Sequence, residues 1–426
     1  MSSTELSIGQ IKSRRIVYLI SATITLLILG LIYAWSIFAA PIGKHFTSYG
    51  PFLPQVFQVS MFAFCLSALG GAQLIKKTSA KLTIIVAAIL MATGFILTAY
   101  GAGLDVWALF LFYGVFAGSG CGIAYNAIIS LVNPWFPDRI GLCSGVQMMG
   151  FGISSLVFGS VANAMFGIMD WTTVFIIIAI VAFVVMLALA FIVKPAPKDI
   201  GTKLGLEGAT AKAKVSPTQQ QPILKTKVFW IYCVWATFII ACGLTLIGTA
   251  AQGATTLHLD DTIFVGFGAL LVGLVSTMNG VGRIINGAIF DKVGLLPVML
   301  LSSVLAIATM IGLSVSLALQ LGSLYIVAAI LVAMPYGSVP VMASAYARQR
   351  YGALGFAMNL GIANCNIASA AVINIIIVAA LGSPAGANGP IIYAILAVLA
   401  AGALVATLAF GKVYKADLAT IAKELQ

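Results

Sequence analysis

Long apolar runs separated by short polar intervals dominate the chain. Twelve of them cover approximately residues 16–40, 55–75, 82–102, 107–132, 142–166, 172–193, 228–253, 263–290, 295–315, 322–346, 353–380 and 389–411. A hydrocarbon core of about 30 Å takes about 20 apolar residues in helical form. Each run therefore predicts a membrane-spanning α-helix; the runs are too long and too uniformly apolar for barrel strands. The one long polar interval, 194–227, is rich in Lys, Pro and Gln and poor in aromatics, which predicts a flexible linker. Six runs precede it and six follow. The expected fold is an all-α membrane protein: twelve transmembrane helices in two six-helix pseudo-symmetric bundles, 1–193 and 228–426, joined by 194–227. A local match supports duplication: Gly71-Ala72-Gln73-Leu74-Ile75-Lys76-Lys77 leaves the second run much as Gly287-Ala288-Ile289-Phe290-Asp291-Lys292 leaves the eighth. Parallel six-helix repeats with a midplane site between them are a transporter architecture.

Composition agrees, with 61% hydrophobic and only 8% charged residues, against about 25% charged in soluble domains. The net charge of +11 is a matter of topology. Twenty of the 22 Lys and Arg residues fall on one side of the predicted membrane, Lys44 lies opposite, and Arg283 lies within it. The positive-inside rule makes that side, both termini and the linker cytoplasmic, so no nucleic-acid partner is implied. Lys12, Arg14 and Arg15 precede an apolar run too long for a cleavable leader. The six cysteines (65, 121, 143, 233, 242, 365) sit within or at the start of predicted helices, without metal-ligand spacing, and read as packing residues. No cofactor or metal is expected.

Arg283 is the residue that asks for a function. It lies eight residues before Asp291, placed at the membrane edge, hence about 12 Å deep at 1.5 Å per residue. A charge at such depth costs about 2.5–3.5 kcal/mol on insertion scales. All eleven acidic residues fall in predicted loops or tails, so the cation is expected to meet an anion from outside, and a guanidinium binds a carboxylate in a bidentate fork. Asn279, one turn earlier on the same face, is expected to bond the substrate or hold the guanidinium.

Glycines crowd the fourth and fifth runs at 114, 118, 120, 122, 141, 145, 150, 152 and 159, which reads as close helix packing or as a sliding surface. Between those runs, Asn133-Pro134 and Phe136-Pro137 break the helix, and Trp135 and Phe136 suit the headgroup level. This loop is expected to be structural.

Several stretches resemble a known family. Gly287, Asp291, Lys292 and Gly294 form G-x-x-x-D-K-x-G, similar to the cytoplasmic gating motif of the major facilitator superfamily; the first-half copy carries Ile75 where the acidic residue belongs. Gly30-Leu-Ile-Tyr33-Ala-Trp35 with Pro41, Gly120-Cys-Gly-Ile-Ala-Tyr125, Asn133-Pro-Trp-Phe-Pro-Asp-Arg139 with Gly141-Leu-Cys-Ser-Gly145, and Lys225-Thr-Lys-Val-Phe-Trp230 resemble the oxalate/formate antiporter group and the related monocarboxylate transporter family. The resemblance implies that Tyr33 and Tyr125 line a central cavity, with Tyr336 in Pro335-Tyr-Gly-Ser-Val-Pro340 a counterpart in the tenth helix. Aromatic walls with hydroxyl tips suit a small organic acid. It also implies an acidic residue at Asn279 in eukaryotic-type members and a lysine at Met358 in oxalate-transporting ones. Both are absent here, which argues against their proton relay and for a single carboxylate. Asn359 is a further candidate for the cavity.

The expected function is secondary active transport of a small monocarboxylate such as lactate or pyruvate by alternating access, with proton symport, in the cytoplasmic membrane. The alternative is organic anion exchange of the oxalate/formate kind. His258, beside Asp260 and Asp261, is the proton-coupling candidate because histidine changes charge between pH 5 and 8; His45 is the other histidine. With two histidines outside the predicted helices and no acidic residue within them, an intramembrane enzyme is not expected. The protein is expected to work as a monomer.

Overall fold

The computed structural model describes residues 7–49, 52–197, 199–206, 223–263, 267–352 and 355–424. The long helices are α1 (Ile8–Leu29, a 3₁₀ turn over Gly30–Ala34, then Trp35–His45), α2 (Leu53–Lys77), α3 (Ala80–Gly101) and α4 (Val106–Leu109, a π-helical Phe110–Ala117, then Gly118–Val132). They continue with α5 (Ile140–Phe166, π-helical over Ser155–Gly159), α6 (Trp171–Ile192), α7 (Lys227–Thr256), α8 (Phe267–Val293) and α9 (Leu295–Ala318). The last are α10 (Gly322–Tyr351), α11 (Phe356–Asn364 and Asn366–Leu381, interrupted at Cys365) and α12 (Gly389–Glu424). Among the described residues, eleven helices are long and apolar enough to cross a membrane. The 27-residue α8 is outside that count and completes the twelve.

Contacts divide the chain into two compact units, residues 1–214 with 347–361, and residues 215–346 with 362–426. In the first unit, α4 is held on both sides. A methyl group on Gly118 would stand 2.6 Å from the Ser60 carbonyl oxygen of α2, and one on Gly120 would stand 2.5 Å from the Met91 nitrogen of α3. One on Gly122 would overlap the Phe64 carbonyl. Lipid offers helices no hydrophobic gain for associating, so close approach at small residues supplies dispersion contact instead. At Gly118, Gly120 and Gly122 the glycine-dense stretch packs tightly.

The loop after α4 is a knot inside the first unit. Asn133 is buried and donates to Ser144 Oγ at 2.8 Å, and Gln147 Nε2 donates to Asn133 Oδ1 at 2.9 Å. Asp138 pairs with Arg15, whose guanidinium also lies 4.5 Å over the Phe136 ring. Trp135, read from the sequence as suited to the headgroup level, is fully buried within the protein. Its Nε1 donates to Lys194 O at 2.9 Å, and its ring meets Tyr18 edge-on at 4.9 Å. An indole N–H inside the fold requires an acceptor, and the end of α6 provides one.

Other boundaries also differ from the sequence reading. α10 runs on to Tyr351, which places Arg348 and Arg350 in its last turn, and α12 continues through the expected tail to Glu424. The linker is ordered at its ends: Ile200–Lys203 forms a helical turn, and Ile223–Lys225 a 3₁₀ turn ahead of α7. Lys203 donates to Asp199 at 2.9 Å and holds that carboxyl below its usual range. Residues 198 and 207–222 of the linker lie outside the described residues.

Gly122→Ala should destabilise the purified protein by about 1–3 kcal/mol, the usual cost of overpacking, because α4 must move off α2. Gly70→Ala, where an added methyl meets nothing within 4 Å, should leave the unfolding midpoint unchanged. Thermal unfolding followed by intrinsic fluorescence in detergent checks the pair.

Candidate functional site

The polar side chains of α8 recur at Asn279, Arg283 and Asn286, spacings of four and three that set them on one stripe of a helix. All three are buried, at 7%, 2% and 1% exposure. Arg283 lies ten residues before the end of α8, about 15 Å at the helical rise. Its Nε donates to Asn279 Oδ1 at 3.3 Å. Asn286 Nδ2 donates to the backbone oxygens of Gly282 at 2.7 Å and Met334 at 3.2 Å, which ties α8 to α10. The stripe thus holds one amide consumed by packing and one amide turned to the guanidinium. The Asn279 amide oxygen accepts from one donor of Arg283.

α10 reaches this stripe because glycines stand at the crossings. A methyl on Gly282 would lie 2.9 Å from Met334 Cα. One on Gly337 would lie 2.5 Å from the Asn279 carbonyl oxygen, 2.9 Å from its Oδ1 and 3.3 Å from Arg283 Cγ. Gly243 of α7 makes room for Tyr336 in the same way, with a built methyl 2.5 Å from Tyr336 Cβ. Tyr336 is 4% exposed and stands between Pro335 and Pro340, which both lie inside α10. Ser338 Oγ donates to the Pro335 carbonyl at 2.7 Å while it accepts from Ser302 Oγ at 2.9 Å. Gly337, Gly282 and Asn286 escape a sequence reading. The available signal was the Tyr-Gly pair between two prolines and a glycine next to Arg283.

In the first unit, Tyr33 and Tyr125 meet around one ring. Phe151 of α5 lies 5.1 Å from each of them, edge-on to Tyr33, and Phe64 joins at 5.3 Å from Tyr125. Tyr33 is half-buried, on the 3₁₀ turn of α1. The turn sits where Gly30 presses on the Phe151 backbone with no space for a side chain. Phe151 had no signal of its own among the many apolar residues of α5.

The remaining candidates are placed elsewhere. Asn359 is half-buried in the segment 347–361 that groups with the first unit, and its N–H donates to Gly355 O at 2.9 Å. In that unit Asn126 Nδ2 bridges Ala68 O at 2.9 Å and Ala357 O at 2.8 Å, which fastens the start of α11. His258 is exposed, in a left-handed backbone conformation (φ 53°), with Nδ1 3.5 Å from Asp261 Oδ2. Gly287 is buried, Asp291 and Lys292 are exposed on the last turn of α8, and Gly294 turns the chain at φ 85° into α9. Burial does not single out Arg283, since Arg350 is only 8% exposed. Position does: Arg350 is one residue from the end of α10.

The sequence profile of the Major Facilitator Superfamily matches residues 16–373. The chain belongs to the Major Facilitator Superfamily. It is 28% identical over 356 residues to the uncharacterized MFS-type transporter YhjX of Escherichia coli, a match covering 81% of this chain and 82% of that one. It is 23% identical over 292 residues to the oxalate:formate antiporter of Oxalobacter formigenes, over 68% of this chain and 66% of that one. Among solved structures, the proton:xylose symporter XylE superposes with a TM-score of 0.69 at 15% identity, over 92% of this chain and 95% of XylE. This facilitator is thus a multi-pass membrane transporter of small substrates, and the family is not one of enzymes.

Gly337→Ala should displace Asn279 or the Arg283 stem and lower transport at least tenfold while the protein still inserts and folds. Gly248→Ala, with open space around the added methyl, serves as the comparison. Initial uptake rates in proteoliposomes, with each variant's monodispersity checked on a sizing column, separate the two.

Proposed function

We propose that this facilitator carries a small monocarboxylate, of the size of lactate or pyruvate, by alternating access, with Arg283 binding the carboxylate. The observation that carries the reading is a guanidinium buried to 2% in the middle of a membrane helix with a neutral amide 3.3 Å from its Nε. Arginine stays charged in any protein environment, and its fork matches a carboxylate in two parallel charge-assisted hydrogen bonds. The name of the Oxalobacter relative, which transports two carboxylates, points the same way. The charge count favours one carboxylate over two: a methionine, Met358, stands where the resemblance implies a lysine in oxalate carriers. Asn279 orients the guanidinium, and Tyr336, Tyr33 and Tyr125 are assigned to the walls, with Asn359 a further polar contact. The assignment makes 1–193 and 228–426 the two moving bundles, the linker and both termini cytoplasmic, and the monomer the working unit in the cytoplasmic membrane.

Proton symport is proposed because the substrate can bind as an anion and leave as the acid, without a carboxylate at position 279. His258 is the one residue proposed for coupling; its ion-pair neighbour Asp261 is the supporting feature. The competing reading is obligatory anion exchange, favoured by the antiporter's likeness to this chain.

Loss of a hydrogen bond to a charged group is worth about 1.5–3 kcal/mol. Arg283→Lys, which keeps the charge and loses the fork, should therefore raise the KM for lactate about 10- to 100-fold, and Arg283→Ala should abolish saturable uptake. Saturable carboxylate uptake at the wild-type level in Arg283→Ala would end the proposal. Uptake of labelled lactate driven by an inward proton gradient, in vesicles holding no anion substrate, is expected for symport; uptake only after preloading with an organic anion would establish exchange.

A further inference from the structure

A cleft of about 420 Å³ opens between α7 and α11 in the second unit, with a lining that does not include Arg283. Its polar lining is Cys233 and Thr237 of α7 with Cys365, Asn366 and Ser369 of α11, set among apolar side chains that include Trp230. Among the described residues of that lining, none is charged and none is a histidine. The rim is open: Trp230 and Val234 are 56% and 45% exposed, and Ser369 is exposed. Both helices are apolar and long enough to cross a membrane, and the exposed Trp230 and Val234 on the rim are apolar, the chemistry of a lipid-facing surface.

One polar group inside the cleft is left over. Asn366 is 5% exposed, and its Nδ2 makes no hydrogen bond of normal geometry; the Cys233 sulfur beside it is a weak acceptor. A buried amide donor without an acceptor costs about 1–3 kcal/mol, and buried polar groups are as a rule hydrogen-bonded. Asn366 is the first residue after the interruption of α11, so the break carries it into place against α7. Along α7 the cleft runs from Phe229 to Phe238, about 13 Å of helix, which is the reach of a medium-length alkyl chain.

We propose that this cleft binds an uncharged amphiphile dissolved in the bilayer, its apolar chain lying along α7 and its carbonyl or hydroxyl oxygen accepting from Asn366 Nδ2. The missing charges in the lining decide the class. An ionic headgroup held at Asn366 would lose its hydration and meet no charge in the lining, whereas a neutral oxygen needs only the one donor. A volume of 420 Å³ is within the range of small-molecule sites.

The test uses the full chain in nanodiscs and a ten-carbon alcohol carrying a diazirine. Photolabelling should fall on the α7 and α11 residues that line the cleft, and saturate. Decan-1-ol should displace the label, while decyltrimethylammonium and decyl sulfate should not. Asn366→Leu keeps the volume and removes the donor, so it should weaken displacement by decanol about 10-fold; Ser369→Trp should fill the cleft and abolish labelling. A measurement on the wild type needs no variant to fold: decanol should slow alkylation of Cys233 and Cys365 by N-ethylmaleimide. Arg283→Ala should leave all of these readings unchanged, which keeps the outcome separate from that for the carboxylate site. Labelling that does not saturate, equal displacement by the charged amphiphiles, unchanged displacement in Asn366→Leu, or an unchanged alkylation rate would each overturn the proposal.

Discussion

Backbone approaching backbone at glycine is the constraint on which this structure depends. Lipid chains are as apolar as leucine, so a helix inside the membrane gains nothing by turning leucines toward a neighbour. Contact has to come from dispersion between well-fitted surfaces and from a few interhelical hydrogen bonds. In the first unit Gly118, Gly120 and Gly122 bring α4 onto α2 and α3 at once. In the second unit Gly282 and Gly337 set α10 on the stripe of α8 that bears Asn279 and Arg283. The site is built by the packing, since the same close approach that holds α8 and α10 together fixes the amide beside the guanidinium.

Two asparagines on that stripe show how a polar side chain is made affordable in different ways. Asn286 spends its N–H group on two backbone carbonyls and becomes an interhelical tie. Asn279 turns its oxygen to Arg283. Its backbone lies against Gly337, so its side chain has little freedom to turn elsewhere. A sequence pattern sees only two amides seven residues apart.

Legibility followed the range of the interactions. Spanning segments were readable because composition over a window of about 20 residues decides them, and Arg283 was readable because one charge in such a window stands out. α8 shows the limit of that signal: its load of Asn279, Arg283, Asn286 and Asp291 sets it apart from the eleven apolar spans, yet it is a continuous 27-residue helix. What could not be read were partners distant in the chain. Nothing in the sequence pairs Trp135 with the Lys194 carbonyl that its indole reaches. Gly337 looks like any glycine until Asn279 lies against it. The interruption of α11 at Cys365 has no proline or glycine to announce it.

A permanent positive charge buried in α8 has an electrical consequence. If one monoanion neutralises Arg283 and a proton travels with it, the loaded site carries one positive charge, the same as the empty site. The empty site keeps its charge. Any displacement of that charge through the field is worth up to about 2.3 kcal/mol per 100 mV. Voltage would then act on the loaded passage and on the empty return in opposite senses, and the complete cycle would move no net charge. An energised membrane would set how fast the binding site comes back for its next passenger, and on which side it waits.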